Sequence, residues 1–172
     1  MNNTPPVTKN LIIINILCFF AAIVAERYGV NLNDVLGLHY FESEKFRLYQ
    51  LFTYMFMHSG FEHILFNMFA VWMFGRILET VWGPQRFLFY YVLCGIGAGL
   101  VQEVTQYFEF LPVMHDMAQF LTFPSDASIP INGTTRSAEQ WVAICQRIIS
   151  VPTVGASGAV YAILMAFGMM FP

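Results

Sequence analysis

Ser157 stands among small residues in Gly155-Ala156-Ser157-Gly158, at the entry to a last apolar run, Ala159 to Phe171. A hydroxyl in such a place can act as a nucleophile if a base takes its proton. Upstream, His63 and Asn67 lie four residues apart, so on a helix they share one face, one turn apart. His63 offers an imidazole donor and Asn67 an amide donor. Attack on a peptide carbonyl develops an oxyanion, and one such donor is worth roughly 10²–10³ in rate. The unpaired N–H groups of a helix start at Ser157 would point at the same developing charge. Each feature alone has a plainer reading: two polar side chains can bond neighbouring helices, and Gly, Ala and Ser are frequent contacts between membrane helices. Together they point to acyl transfer.

The elements that must position these residues are apolar. Of the 172 residues 57% are hydrophobic and 11% charged, against about 25% charged in a soluble domain, so lipid is the expected solvent. The net charge of −3 gives no reason to expect a nucleic-acid partner. Cys18, Cys94 and Cys145 are scattered and odd in number, which indicates neither a disulfide framework nor a zinc site.

Residues 1–8 form a short polar tail, and 9–25 a first span that competes with a signal-peptide reading. Residues 26–59 are too apolar for a solvated loop and too interrupted to span, which suits a structured connection partly in the interface. Spans follow at 61–82 and 87–104, separated by Gly83-Pro84. The Gly95-x-x-x-Gly99 pair in the latter speaks for close helix packing. The polar segment 105–150 carries a turn at Asn132-Gly133, a glycosylation-like Asn132-Gly133-Thr134, and Ser137 with Gln140 in capping-box spacing before an amphipathic helix at 138–149. A fourth span covers 154–171. Arg76 and Arg86 in the connector 75–86, against the acid-rich 102–150, put the N-terminus in the cytoplasm and Ser157 near the outer face.

This ordered set resembles the rhomboid intramembrane serine proteases. The matching residues are His63-x-x-x-Asn67, Gly155-Ala156-Ser157-Gly158, Phe74-Gly75-x-x-x-Glu79-x-x-x-Gly83, and the run Thr53-Tyr54-Met55-Phe56-Met57-His58. Resemblance covers 9–104 and 152–172, leaving 105–150 as an enlarged loop. It implies an all-α, polytopic transmembrane helix bundle, with about four spans here of an expected six. It implies Ser157 as the catalytic nucleophile, and an oxyanion hole from His63, Asn67 and the Ser157 N–H. Gly155 would keep that hole open, Tyr161 would stack on the catalytic histidine, and His58 would support the polar cavity. A Ser–His dyad without metal or cofactor would cut transmembrane protein substrates in the bilayer, in a multi-pass, bacterial inner-membrane setting.

Two departures stand out. Tyr49-Gln50 replaces the family's Trp-Arg in the outer loop. The family's base is a histidine on the sixth span, whereas His39, His58, His63 and His115 are all placed elsewhere. Gly158, Ala162 and Ala166 form a small-residue stripe that invites a further helix. The expectation is therefore a piece of a longer protein, inactive by itself. The competing reading is a non-catalytic rhomboid-like protein that binds membrane segments. A channel lacks the repeats and mid-depth charges expected of it. A zinc hydrolase would need His58 and His63 on one helical face, from which a spacing of five turns them apart.

Overall fold

The computed structural model describes residues 4–115, 122–131 and 133–171, without the side chains of 109, 110 and 112–115. Asn132 and the His115 side chain, both singled out by sequence, lie outside the described residues.

Helix α1 (Pro6–Arg27) starts on a proline, whose fixed φ and missing N–H suit a first turn. No side chain of its own caps it. The cap comes from across the bundle: the buried Glu79 carboxylate accepts from Val7 N (2.9 Å), Thr8 N (2.7 Å) and Thr8 Oγ1 (2.7 Å). A negative charge there meets the positive end of the helix dipole.

A short helix α2 (Leu32–Leu36) and a turn α3 (Gln50–Thr53) build the outer connection. Gln50, which stands where the family has arginine, is its anchor. Its Oε1 accepts from His39 N and Arg47 N, and its Nε2 donates to Val35 O and Lys45 O. A buried amide with both ends satisfied thus closes the loop.

Helix α4 (Phe61–Trp82) carries a π-helical stretch at Val71–Gly75. Gly83, at φ +82°, ends it, and Pro84 opens α5 (Pro84–His115). α1, α4 and the Pro84–Phe108 part of α5 are long and apolar enough to cross a membrane. The apolar stretch of α5 was expected to end near residue 104, but the helix continues to His115.

Beyond it, β1 (Ser128–Ile131) and β2 (Thr134–Ser137) pair antiparallel, an element that composition and periodicity did not announce. The pairing of Ile131 with Thr134 closes the hairpin over two residues, with Gly133 at φ +79°. Helix α6 (Ala138–Ser150) opens on a complete capping box, Ser137 with Gln140. Trp141 and Cys145 are buried against the hairpin as a core of their own.

Finally α7 (Ser157–Met170) spans 14 residues, about 21 Å at 1.5 Å per residue, shorter than the roughly 30 Å hydrocarbon core. It packs along α5. Gly158 makes that possible, since a Cβ there would lie 2.4 Å from Ala98 Cβ. The main core joins Met55, Val71, Leu78, Phe87, Ala159 and Ile163 from four directions.

Candidate active site

Ser157 is the first residue of α7, and the chain reaches it in extended form. Thr153 exchanges two backbone hydrogen bonds with Leu38 (2.9 and 2.7 Å), stitching this segment to the outer connection. Gly155 N then donates to Tyr54 O at 2.9 Å. The Tyr54 hydroxyl in turn donates to Gly95 O at 2.6 Å, so one tyrosine ties the strand before the serine to α5. The first amide in the α7 ladder is Val160, which donates to Ala156 O. The amides of Ser157, Gly158 and Ala159 therefore precede the ladder, as a helix start requires.

Gly155 decides the approach. Its φ of +122° lies outside what an L side chain adopts readily, and a Cβ would meet His63 Cε1 and Nε2 at 2.6 Å. The Cε1–Nε2 edge of the His63 imidazole thus lies against the backbone two residues before the serine. Ser59 Oγ contacts its Nδ1 at 3.1 Å, and the His58 ring packs edge-on at 5.1 Å between centroids. Asn67, one turn further along α4, is buried and donates from Nδ2 to His63 O at 2.9 Å. That bond fixes its amide while leaving a second N–H.

His58 is buried, and neither ring nitrogen finds a partner among the described residues. Burial first, and His63 second, push its pKa down to about 4, so the ring is neutral at ordinary pH. A crevice of about 240 Å³ leads to it, walled by Glu26, Asn31, Asn33 and Ser59. Among the described residues no hydrogen bond engages the Ser157 hydroxyl.

The structure sets Gly155, two residues before Ser157, against His63, with Asn67 one turn further along α4 and the His58 ring edge-on to His63. Tyr161 is left out: its side chain is 72% exposed on the surface of α7. The spacing argument that turned His58 and His63 apart also fails, because His58 precedes the helix and bends back onto His63. The two remain without a third ligand: among the described residues no cluster of three metal-binding side chains occurs. Sequence reasoning missed Ser59 and the double role of Tyr54. Ser59 was in reach, since it lies four residues before His63. Tyr54 acts through its carbonyl, which leaves no mark in a sequence.

Residues 45–172 match the family model described as Rhomboid domain, and the chain belongs to the rhomboid family. It is similar to the rhomboid protease GluP of Bacillus subtilis (strain 168), 30% identical over 108 residues, covering 60% of this chain and 21% of that protein. YdcA of the same organism is 34% identical over 65 residues, covering 38% of this chain and 33% of its own length. The rhomboid protease GlpG of Salmonella newport (strain SL254) is 34% identical over 59 residues, 34% of this chain and 21% of that protein. The matches thus span a fifth to a third of these curated relatives. Family and apolar helices together make this an integral membrane protein.

Proposed function

We propose that this chain carries the nucleophile and oxyanion pocket of an intramembrane serine endopeptidase acting on transmembrane segments of other proteins. One observation carries the proposal: the Gly155 backbone lies against the His63 imidazole, immediately before a serine that opens a helix. Ser157 attacks the scissile carbonyl, and its own N–H, His63 and Asn67 receive the oxyanion. Ser59 orients the His63 ring, so that Nε2 is the nitrogen left to face the site. The names of the relatives GluP and GlpG, both rhomboid proteases, agree with this chemistry.

The base that accepts the Ser157 proton lies, in this proposal, on a histidine outside residues 1–172. His39 is held by the Asp34 carbonyl at 2.8 Å, His58 is buried and neutral, and His115 belongs to the 105–150 segment that the motif resemblance does not cover. His63 is committed to the oxyanion. Without a base the chain keeps only the small residual rate of an oxyanion hole. The N-terminus faces the cytoplasm and Ser157 lies near the outer face of a bacterial inner membrane.

The test compares residues 1–172 with a version extended by the gene's own downstream coding sequence, both in liposomes with a labelled single-span substrate. The extended protein should cleave, and Ser157→Ala should lower the rate at least about 10³-fold. Equal, Ser157-dependent cleavage by residues 1–172 would refute the outside base. Substrate binding without cleavage by the extended protein would favour the non-catalytic relative.

A further inference from the structure

Outside the site, a cavity lies where α5 leaves the bundle, bordered by β2 and α6. It measures about 760 Å³, and its lining includes two arginines, Arg136 and Arg147, both exposed. We propose that it binds the phosphodiester of a membrane lipid headgroup.

Depth is the first argument. The α5 wall consists of Gln102, Thr105 and Gln106. Gln102 is 18 residues past Pro84, so it stands about 27 Å up the helix, and Gln106 about 33 Å. With Pro84 taken as the opposite boundary, a hydrocarbon core about 30 Å thick ends between them. Whichever face of the membrane this is, the cavity opens at headgroup level.

Charge is the second. Among the described residues neither Arg136 nor Arg147 forms an ion pair; the pairs present join Asp34 to Lys45 and His39. Two guanidiniums bordering one space repel each other unless an anion lies between them, and their donor forks match phosphate oxygens. The geometry is partly fixed in advance. Arg136 lies over the Trp141 ring at 5.5 Å, and that ring is pinned by Trp141 Nε1 donating to Ile129 O at 2.9 Å.

The apolar wall is the third. Ile144, Ile148 and Val151 line the same cavity, which suits the first methylenes of an acyl chain beside its phosphate. An acidic peptide would also meet the two arginines, but it has no use for that wall or for this depth. Because Val151, Pro152 and Thr153 belong to both the cavity and the strand leading to Gly155, a lipid seated there braces the approach to Ser157.

The experiment reconstitutes the chain in phosphatidylcholine nanodiscs doped with phosphatidylglycerol and counts the lipids retained by native mass spectrometry. Phosphatidylglycerol should be retained in preference, and Arg136→Gln with Arg147→Gln should lower its retention roughly tenfold or more. Arg147→Gln alone, which leaves the Arg136–Trp141 stack in place, should lower it in part. Arg136→Lys with Arg147→Lys should keep most of it, which separates lost charge from lost folding. Equal retention by the wild type and the Gln variants overturns the proposal. So does displacement of the lipid by inorganic phosphate at equal concentration, which would mark a free-anion site. Displacement by an acidic peptide, without preference among lipids, overturns it in favour of a peptide.

Discussion

The helical bundle and the hairpin–helix module, residues 122–131 and 133–151, hold their shape in opposite ways. In the bundle, the contacts that set the shape run over long sequence distances. Glu79 closes the start of α1 from 71 residues away, Tyr54 reaches Gly95, and Gly155 rests on His63. The hairpin–helix module is local. A hairpin closed over two residues, a capping box and one small core around Trp141 and Cys145 account for it. Within the bundle one atom too many is expected to act at a distance, whereas in the module its effect should stay where it is made. The proposed site needs the first kind of construction, because its candidate nucleophile, Ser157, and candidate oxyanion donors, His63 and Asn67, come from segments some ninety residues apart.

Gly155→Ala is the strongest way to probe that contrast. The new Cβ would meet the His63 ring and force a backbone that prefers glycine. In the extended protein kcat should fall about 10²–10³-fold, as for loss of one oxyanion donor, with the helices intact by circular dichroism. A rate within a few-fold of wild type would show that His63 does not need this position.

Glu79→Ala comes next. It strips the cap from α1 and leaves buried donors at Val7 and Thr8, which should cost about 3 kcal/mol or more in an unfolding measurement in mild detergent. A loss below about 1 kcal/mol would mean that water replaces the carboxylate.

His58 sets a pH dependence of intermediate size. Its pKa is about 4 in the folded protein and near 6.5 unfolded, so between these values only the unfolded chain takes up the proton. Stability contributed by neutral His58 should therefore be complete above about pH 6.5, decline as pH falls and level off below about 4. His58→Gln should flatten that slope; an unchanged slope would place the titration elsewhere.

Ser137→Ala is the smallest perturbation. Loss of the α6 cap should cost about 1 kcal/mol, seen as faster amide exchange within 138–150 and unchanged exchange in α4 and α7. Faster exchange around Ser157 would break the contrast drawn above.

Sequence disclosed the site's residue types better than their arrangement. Ser157, His63 and Asn67 stand out as candidates because polar groups on apolar helices are costly and therefore conspicuous. Glycine spacing pointed to close packing but not to its partners. Gly95 and Gly99 receive the side chains of Met55 and Tyr54 rather than a spanning helix. The Gly158–Ala162–Ala166 stripe, expected to invite a further helix, packs on α5, where Gly158 meets Ala98 and Tyr90 donates to Ala162 O. The β1–β2 hairpin was not legible beyond its turn, since four-residue strands of mixed polarity leave no period to find. Nor was the role of Gln50: the sequence marks it only as a departure from the family's arginine, and the positions of Val35, Lys45, His39 and Arg47 around it reveal four hydrogen bonds. The His58–His63 contact was hidden because periodicity describes a helix, and His58 precedes it.

The central claim is that Ser157 is a nucleophile poised against the pocket of His63 and Asn67. Its most direct test is the reaction of the extended protein with a fluorophosphonate probe, with the adduct located by mass spectrometry. A single adduct on Ser157, absent in Ser157→Ala and slowed about 10²-fold or more by Asn67→Ala, is the predicted result. Labelling that survives Ser157→Ala, or settles on another serine, would contradict it.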